Sequence, residues 1–229
     1  VRMIKSDLEI SFIKKAAGLA DRLCEEIPRF INESETEMDL AIRAEAFYRA
    51  RGHQGVIRTR TFNMESVYGH IIAGPSAALP SATPGPTGGS GLGPYLSQGS
   101  GFNRLGPGEP IVVDYAANQE GYNSDQARIY SKGRLDEKFY RAHQGMLEIQ
   151  EAVAAMARPG VVTGEIYDMA LKMVEKAGLA HGFMGYPQPV PFIAHGLGLE
   201  LDEWPIIGKN SEFVLERGMT MALEPKVIF

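Results

Sequence analysis

Leu8, Phe12, Ile13, Ala16, Leu23 and Ile27 recur at helical spacing behind Ser6 and Glu9, a pair with capping-box separation. They predict a first helix that ends at Pro28. Thr36–Arg51 repeats the type, with acidic residues in its first turn, Leu40, Ala44 and Phe47 on one face, and Gly52 as the stop. Residues 67–73 alternate like a strand, and 74–110 then lose all periodicity in a run dense in Gly, Pro and Ser. A loop of that length inside a compact domain is a candidate for shaping a pocket or an interface. Two β-rich runs, 111–117 and 122–130, flank the turn residues Asn118, Gln119, Glu120 and Gly121 and predict a hairpin. Two further helices follow, from Leu135 to about Arg158 and from Thr163 to about Lys176, and short strands are expected from Pro191 to Phe229.

Helix pair, strands, helix pair, strands is a duplicated α+β plan. A weak internal repeat agrees with it: Leu105, Gly108 and Asp114 recur at one constant offset as Leu215, Gly218 and Glu224. Two carboxylates would then occupy equivalent places in two related halves.

Composition narrows the function classes. The chain of 229 residues is 44% hydrophobic with a formal net charge of −5, and it has no Lys/Arg cluster. Nucleic acid and anionic membrane therefore have no electrostatic footprint here. The single cysteine, Cys24, lies in an apolar helical pattern, where a buried core thiol in a reducing, cytoplasmic compartment is expected. No apolar run reaches membrane-spanning length, and the charged start lacks the form of a signal peptide.

The hairpin carries the first chemical signal. A turn centred between Gln119 and Glu120 sets Asp114 directly opposite Asp125, with Cβ atoms roughly 4.5–5.5 Å apart, where like charges need a counter-ion. Alternation puts Arg128 on the other face from Asp125, so a divalent cation is the expected partner, against the alternative of two solvated acids. In PFIAHGLGLELDEWP, His195 is followed by glycines that allow close backbone approach, and in GMTMALEPKVIF, Glu224 sits in an apolar strand where a carboxylate needs a partner. His70 could reach the same site from its strand. Tyr122 and Trp204 are candidates for pocket lining or for core and rim, His53, His143 and His181 for structural roles, and Met146, Met156, Met169 and Met173 for the core.

In this order the motifs VVDYAANQEGYNSDQARIY, HGLGLELDEWP and LERGMTMALEP resemble the pita-bread metallopeptidases: methionine aminopeptidase, aminopeptidase P, prolidase and the related creatinase. The GLEL and EWP details resemble prolidase and aminopeptidase P most. The resemblance implies an α+β pita-bread domain with two pseudo-symmetric halves over residues 1–229. It implies metal ligands at Asp114, Asp125, His195 and Glu224 for two divalent ions (Mn, Co or Zn), with Glu224 and His195 as catalytic residues. It also implies a peptide or related amide substrate, cleaved at a C–N bond by a metal-activated water, and a homodimer. A further bridging Glu is expected in a strand beyond Phe229, so the ligand set within this chain is incomplete.

Two departures bear on activity. Where the family carries a His seven residues after its ligand His, this chain has Asp202, and where the family has a Pro-His pair it has Pro80-Ser81. Ser81, Asp202 and His70 are thus the expected substrate-side residues, and Xaa-Pro turnover is expected to be poor. The alternatives are a catalytically impaired binding module and a creatinase-like, metal-independent C–N hydrolase.

Overall fold

A computed structural model describes residues 2–60 and 68–229. Helix α1 spans Asp7–Asn32, and the expected capping box forms: the Ser6 hydroxyl accepts from Glu9 N, and the Glu9 carboxylate accepts from Ser6 N. Its buried stripe is Ala16, Leu19, Ala20, Leu23, Ile27, Phe30 and Ile31. The break expected at Pro28 does not occur. Pro28 has no N–H to donate to the Cys24 carbonyl one turn back, and the Tyr130 hydroxyl donates to that oxygen instead, at 3.0 Å. A side chain from another element thus fills the gap and the helix continues. Cys24 is only partly buried rather than a sealed core thiol.

Helix α2, Glu37–Arg49, opens on a second capping box formed by Thr36 and Asp39. Strands β1 (Gly69–Ala73), β2 (Pro110–Tyr115) and β5 (Ala127–Ser131) make an antiparallel sheet in the order β1-β2-β5. Val67, also expected in the first of these strands, lies outside the described residues. The predicted hairpin is split: β3 (Ala117–Gln119) and β4 (Tyr122–Ser124) form its tip as a separate two-stranded ribbon. Its turn is the two residues Glu120 (φ 54°) and Gly121 (φ 82°), so the centre lies one residue later than the sequence reading placed it. Asp114 consequently pairs with Ala127, not with Asp125, and Asp125 falls in the gap between β4 and β5. Leu19, Leu23, Ile27, Leu40, Tyr48, Ile71, Ile111 and Val113 are central to this half's core.

The second half repeats the plan. Helices α3 (Glu137–Met156) and α4 (Thr163–Lys176) pack beside an antiparallel sheet of β6 (Phe192–Gly196), β7 (Glu203–Gly208) and β8 (Met221–Leu223), in the order β7-β6-β8. Ile149, Val153, Ile166, Val174, Ile193 and Ile207 form a separate core, in which Met146 is buried while Met156, Met169 and Met173 pack at its edge. The halves are tied where it matters for the site: the backbone N–H of Asn123 and its Nδ2 both donate to the Gly198 carbonyl, at 2.8 and 3.1 Å. Among the described residues no helix is long and apolar enough to cross a membrane.

Candidate metal centre

One pocket gathers side chains from both halves. His70 comes from β1, Asp114 from β2, Asp125 from the β4–β5 gap, His195 from β6, and Glu224 and Lys226 from the segment after β8; Thr83 and Gln98 of the long loop complete the wall. Asp125, His195 and Glu224 present one donor atom each, all within 4.8 Å of one another. His195 Nε2 lies 3.1 Å from Glu224 Oε1 and 3.5 Å from Asp125 Oδ2. Its Nδ1 faces the Gly196 carbonyl at 3.1 Å and Asp202 Oδ1 at 3.4 Å. With the proton on Nδ1, the Nε2 lone pair is turned towards the two carboxylates, the orientation a metal-ligating imidazole needs. Two carboxylates and one imidazole around a common point suit a divalent ion of the first transition row.

The glycine after His195 has a local cause. A Cβ on Gly196 would collide with the Trp204 carbonyl oxygen, at a register shift between β6 and β7. The close approach is therefore to a neighbouring strand, and it fixes the backbone that carries His195.

Asp114 does not join the three-donor cluster. Its Oδ2 is 2.5 Å from the Lys226 ammonium, which is also 2.6 Å from Glu224 Oε2. All three side chains are largely buried. The two carboxylates that the internal repeat makes equivalent thus do converge, with a lysine between them. Sequence reasoning passed over Lys226. Its signal was there: a lone Lys in an apolar run, two residues from Glu224 and so on the same side of an extended chain.

Electrostatics follows from this crowding. Burial, reinforced by the Glu224 charge, pushes the Asp125 carboxyl up to about 7. Burial would raise Glu224 as well, but Lys226 and His195 hold it well below the carboxylate range. Burial disfavours charge on His195 and on Lys226, yet the surrounding carboxylates raise both. His70, buried on the wall, is lowered by desolvation despite the nearby Asp114.

The expected substrate-side residues separate. His70 lines the pocket, with its Nε2 3.0 Å from Gln98 Nε2. Asp202, half exposed at the rim and raised by burial of its carboxyl, also lines it. Ser81 stands one layer back, its hydroxyl shared with Thr83 Oγ1 (2.9 Å) and Gln98 Oε1 (3.3 Å), so that Thr83 and Gln98 present themselves in its place. Trp204 packs on Phe213 and the Tyr122 hydroxyl donates to Glu9; neither lines the pocket. His53 is buried against Tyr48, while His143 and His181 are exposed.

The chain as a whole is similar to known proteins. The Xaa-Pro dipeptidase of Pyrococcus furiosus is 27% identical over 228 residues, which are 99% of this chain and 56% of that protein. The probable dipeptidase PepE of Mycobacterium tuberculosis is 29% identical over 230 residues, 100% of this chain and 53% of that one. The chain thus spans about half the length of the curated relatives it matches. Among solved structures, dipeptidase PepE from Mycobacterium ulcerans superposes with a TM-score of 0.81 at 26% identity, over 100% of this chain and 53% of that one. Methionine aminopeptidase from Thermotoga maritima shares the fold, with a TM-score of 0.68 at 22% identity, over 97% of this chain and 80% of that one. These are pita-bread structures, and the two-halved α+β architecture described above is theirs. Residues 11–229 match the family described as metallopeptidase family M24, and the chain belongs to that family.

Proposed function

We propose that this chain forms the catalytic part of a divalent-metal-dependent hydrolase that cleaves Xaa-Pro peptides or related amide C–N bonds. The observation that carries the reading is the convergence of Asp125, His195 and Glu224 donor atoms within 4.8 Å at a pocket wall. These three residues would hold the ion, which supplies Lewis acidity for polarising a carbonyl and activating water. Family resemblance makes Glu224 the candidate for proton transfer, a role that requires its contacts with Lys226 and His195, which hold it ionised, to loosen during turnover. His195 is kept by the Gly196 carbonyl and Asp202 in the tautomer that ligation requires. His70 and Gln98 offer polar contacts to a substrate amide, and Asp202 at the rim favours a substrate group that donates a hydrogen bond or carries positive charge. The single Cys24 supports a cytoplasmic setting and the family resemblance a homodimer.

The test uses the natural full-length polypeptide that contains this chain. Hydrolysis of Ala-Pro and of longer Xaa-Pro peptides should cease on chelation and return with Mn, Co or Zn, and Glu224→Gln should remain inactive in every case. Lys226 neutralises two carboxylates without a metal, which favours as a second reading a metal-independent C–N hydrolase. Turnover undiminished by exhaustive chelation would establish the second reading and refute the first.

A further inference from the structure

Glu224 is shared between two different environments. Its Oε1 faces His195 Nε2 at 3.1 Å within the three-donor cluster, and its Oε2 faces the Lys226 ammonium at 2.6 Å. On the far side of the ammonium stands Asp114 Oδ2 at 2.5 Å. A dinuclear centre places two cations about 3.5–4 Å apart on a common set of carboxylates. Here one part of that set is free to take an ion, and the other already encloses a positive charge. A lysine ammonium is a compact point charge with three donors and no acceptor, so it offsets carboxylates as a second metal would while offering no lone pair to an ion.

The backbone that carries the lysine is held in place. Met184 N donates to the Lys226 carbonyl at 2.9 Å, Lys226 N contacts Met184 Sδ at 3.3 Å, and Val227 bridges to Phe183 in antiparallel fashion. The backbone on both sides of the residue is thereby fixed, and the side chain leaves it towards Asp114.

We infer that Lys226 is a built-in cation that holds the second cation position of the centre, so that the protein binds one divalent ion, at Asp125, His195 and Glu224, where two would otherwise fit. This deepens the metal-dependent reading above and rests on it. The internal ammonium offsets Asp114 and one oxygen of Glu224, and it leaves the ion with a single set of protein ligands. Asp114 becomes the partner of the lysine and not a metal ligand.

The experiment counts ions and does not depend on turnover. Full-length protein is stripped, reconstituted with excess Mn2+, desalted and measured by elemental analysis and electron paramagnetic resonance. The wild type should carry one equivalent with the six-line signal of an isolated ion. Lys226→Ala should carry two, a doubling, with a spin-coupled signal, and Lys226→Arg should stay at one because the cation is retained. Two coupled ions in the wild type would overturn the inference while leaving metal dependence intact, and so would a single equivalent in Lys226→Ala. No bound ion in the wild type overturns it as well, and chelator-resistant turnover then separates failure of the metal-dependent reading from failure of the count. If the Ala variant does not fold, the wild-type count and signal decide alone, one isolated ion supporting the inference and two coupled ions overturning it.

Discussion

Replacing Glu37 by Ala would release both ends of the pocket loop at once. Glu37 is fully buried at the first position of α2, and its carboxylate accepts from Ala73 N at 2.8 Å, from Gly101 N at 2.9 Å and from Asn103 Nδ2 at 3.2 Å. Ala73 closes β1 where the loop begins, and Gly101 lies beyond Gln98 and nine residues before β2, so one carboxylate brackets the segment that carries Thr83 and Gln98. Deleting it leaves two buried backbone N–H groups without acceptors, each costing about 1–3 kcal/mol, or about 2–6 kcal/mol together. At roughly 2–4 °C per kcal/mol for a domain of this size, the midpoint of thermal unfolding should fall by on the order of 10 °C. Gln is no rescue, because its amide nitrogen would point a donor at a donor. Limited proteolysis within 74–109 should accelerate in parallel. The control is Glu35→Ala, which removes an exposed pair with Arg104 and should move the midpoint by less than about 2 °C. If Glu37→Ala lowered the midpoint no more than this control, the carboxylate would not be what holds the loop.

Tyr130→Phe should cost about 1–3 kcal/mol in urea unfolding by orphaning the Cys24 carbonyl, and markedly less in a Pro28→Ala background, where residue 28 supplies its own N–H; equal costs in the two backgrounds would refute the idea that Tyr130 repairs the proline. Burial lowers His53 to about 4, and Gly55 N donates to its Nδ1 at 3.0 Å. A depressed pKa of this kind contributes stability that is present above the unfolded value near 6.5 and lost as pH falls from there towards 4, by up to about 1.4 kcal/mol per pH unit. The slope of unfolding free energy between pH 6.5 and 4 should therefore flatten in His53→Gln, and an unchanged slope would show that His53 titrates normally. Asp202→Ala should weaken Mn2+ binding to the full-length protein by about 10–100-fold in calorimetry, since Asp202 Oδ1 helps orient the His195 ring; unaltered affinity would leave that task to the Gly196 carbonyl alone.

The helices were legible in the sequence because their signals are local. The capping box expected at Ser6/Glu9 forms, the acidic first turn expected after Thr36 supplies Asp39 to a second one, and the apolar spacing marks the faces that become the two cores. Two members of the three-donor cluster, His195 and Glu224, stood out by their glycine and apolar neighbours, whereas Asp125 was singled out by a pairing with Asp114 that the structure does not keep. Pro28 misled for the complementary reason: a helix breaker is a local property, whereas the compensating hydroxyl is that of Tyr130, 106 residues from the Cys24 carbonyl to which it donates. The hairpin register also escaped, because moving the turn by one residue re-pairs every position while leaving the alternation of faces unchanged, so the pattern of polar and apolar residues cannot tell the two apart. What joins Lys226 to Asp114, Glu37 to the pocket loop, and Asp202 to His195 is decided only when the sheets and the long loop are folded together. The sequence alone determined the elements, the family-like motifs and most of the acids; the tertiary structure decided which charge faces which. An ion pair depends on a few ångströms between groups, and for Lys226 and Asp114 those ångströms close across 112 residues of chain.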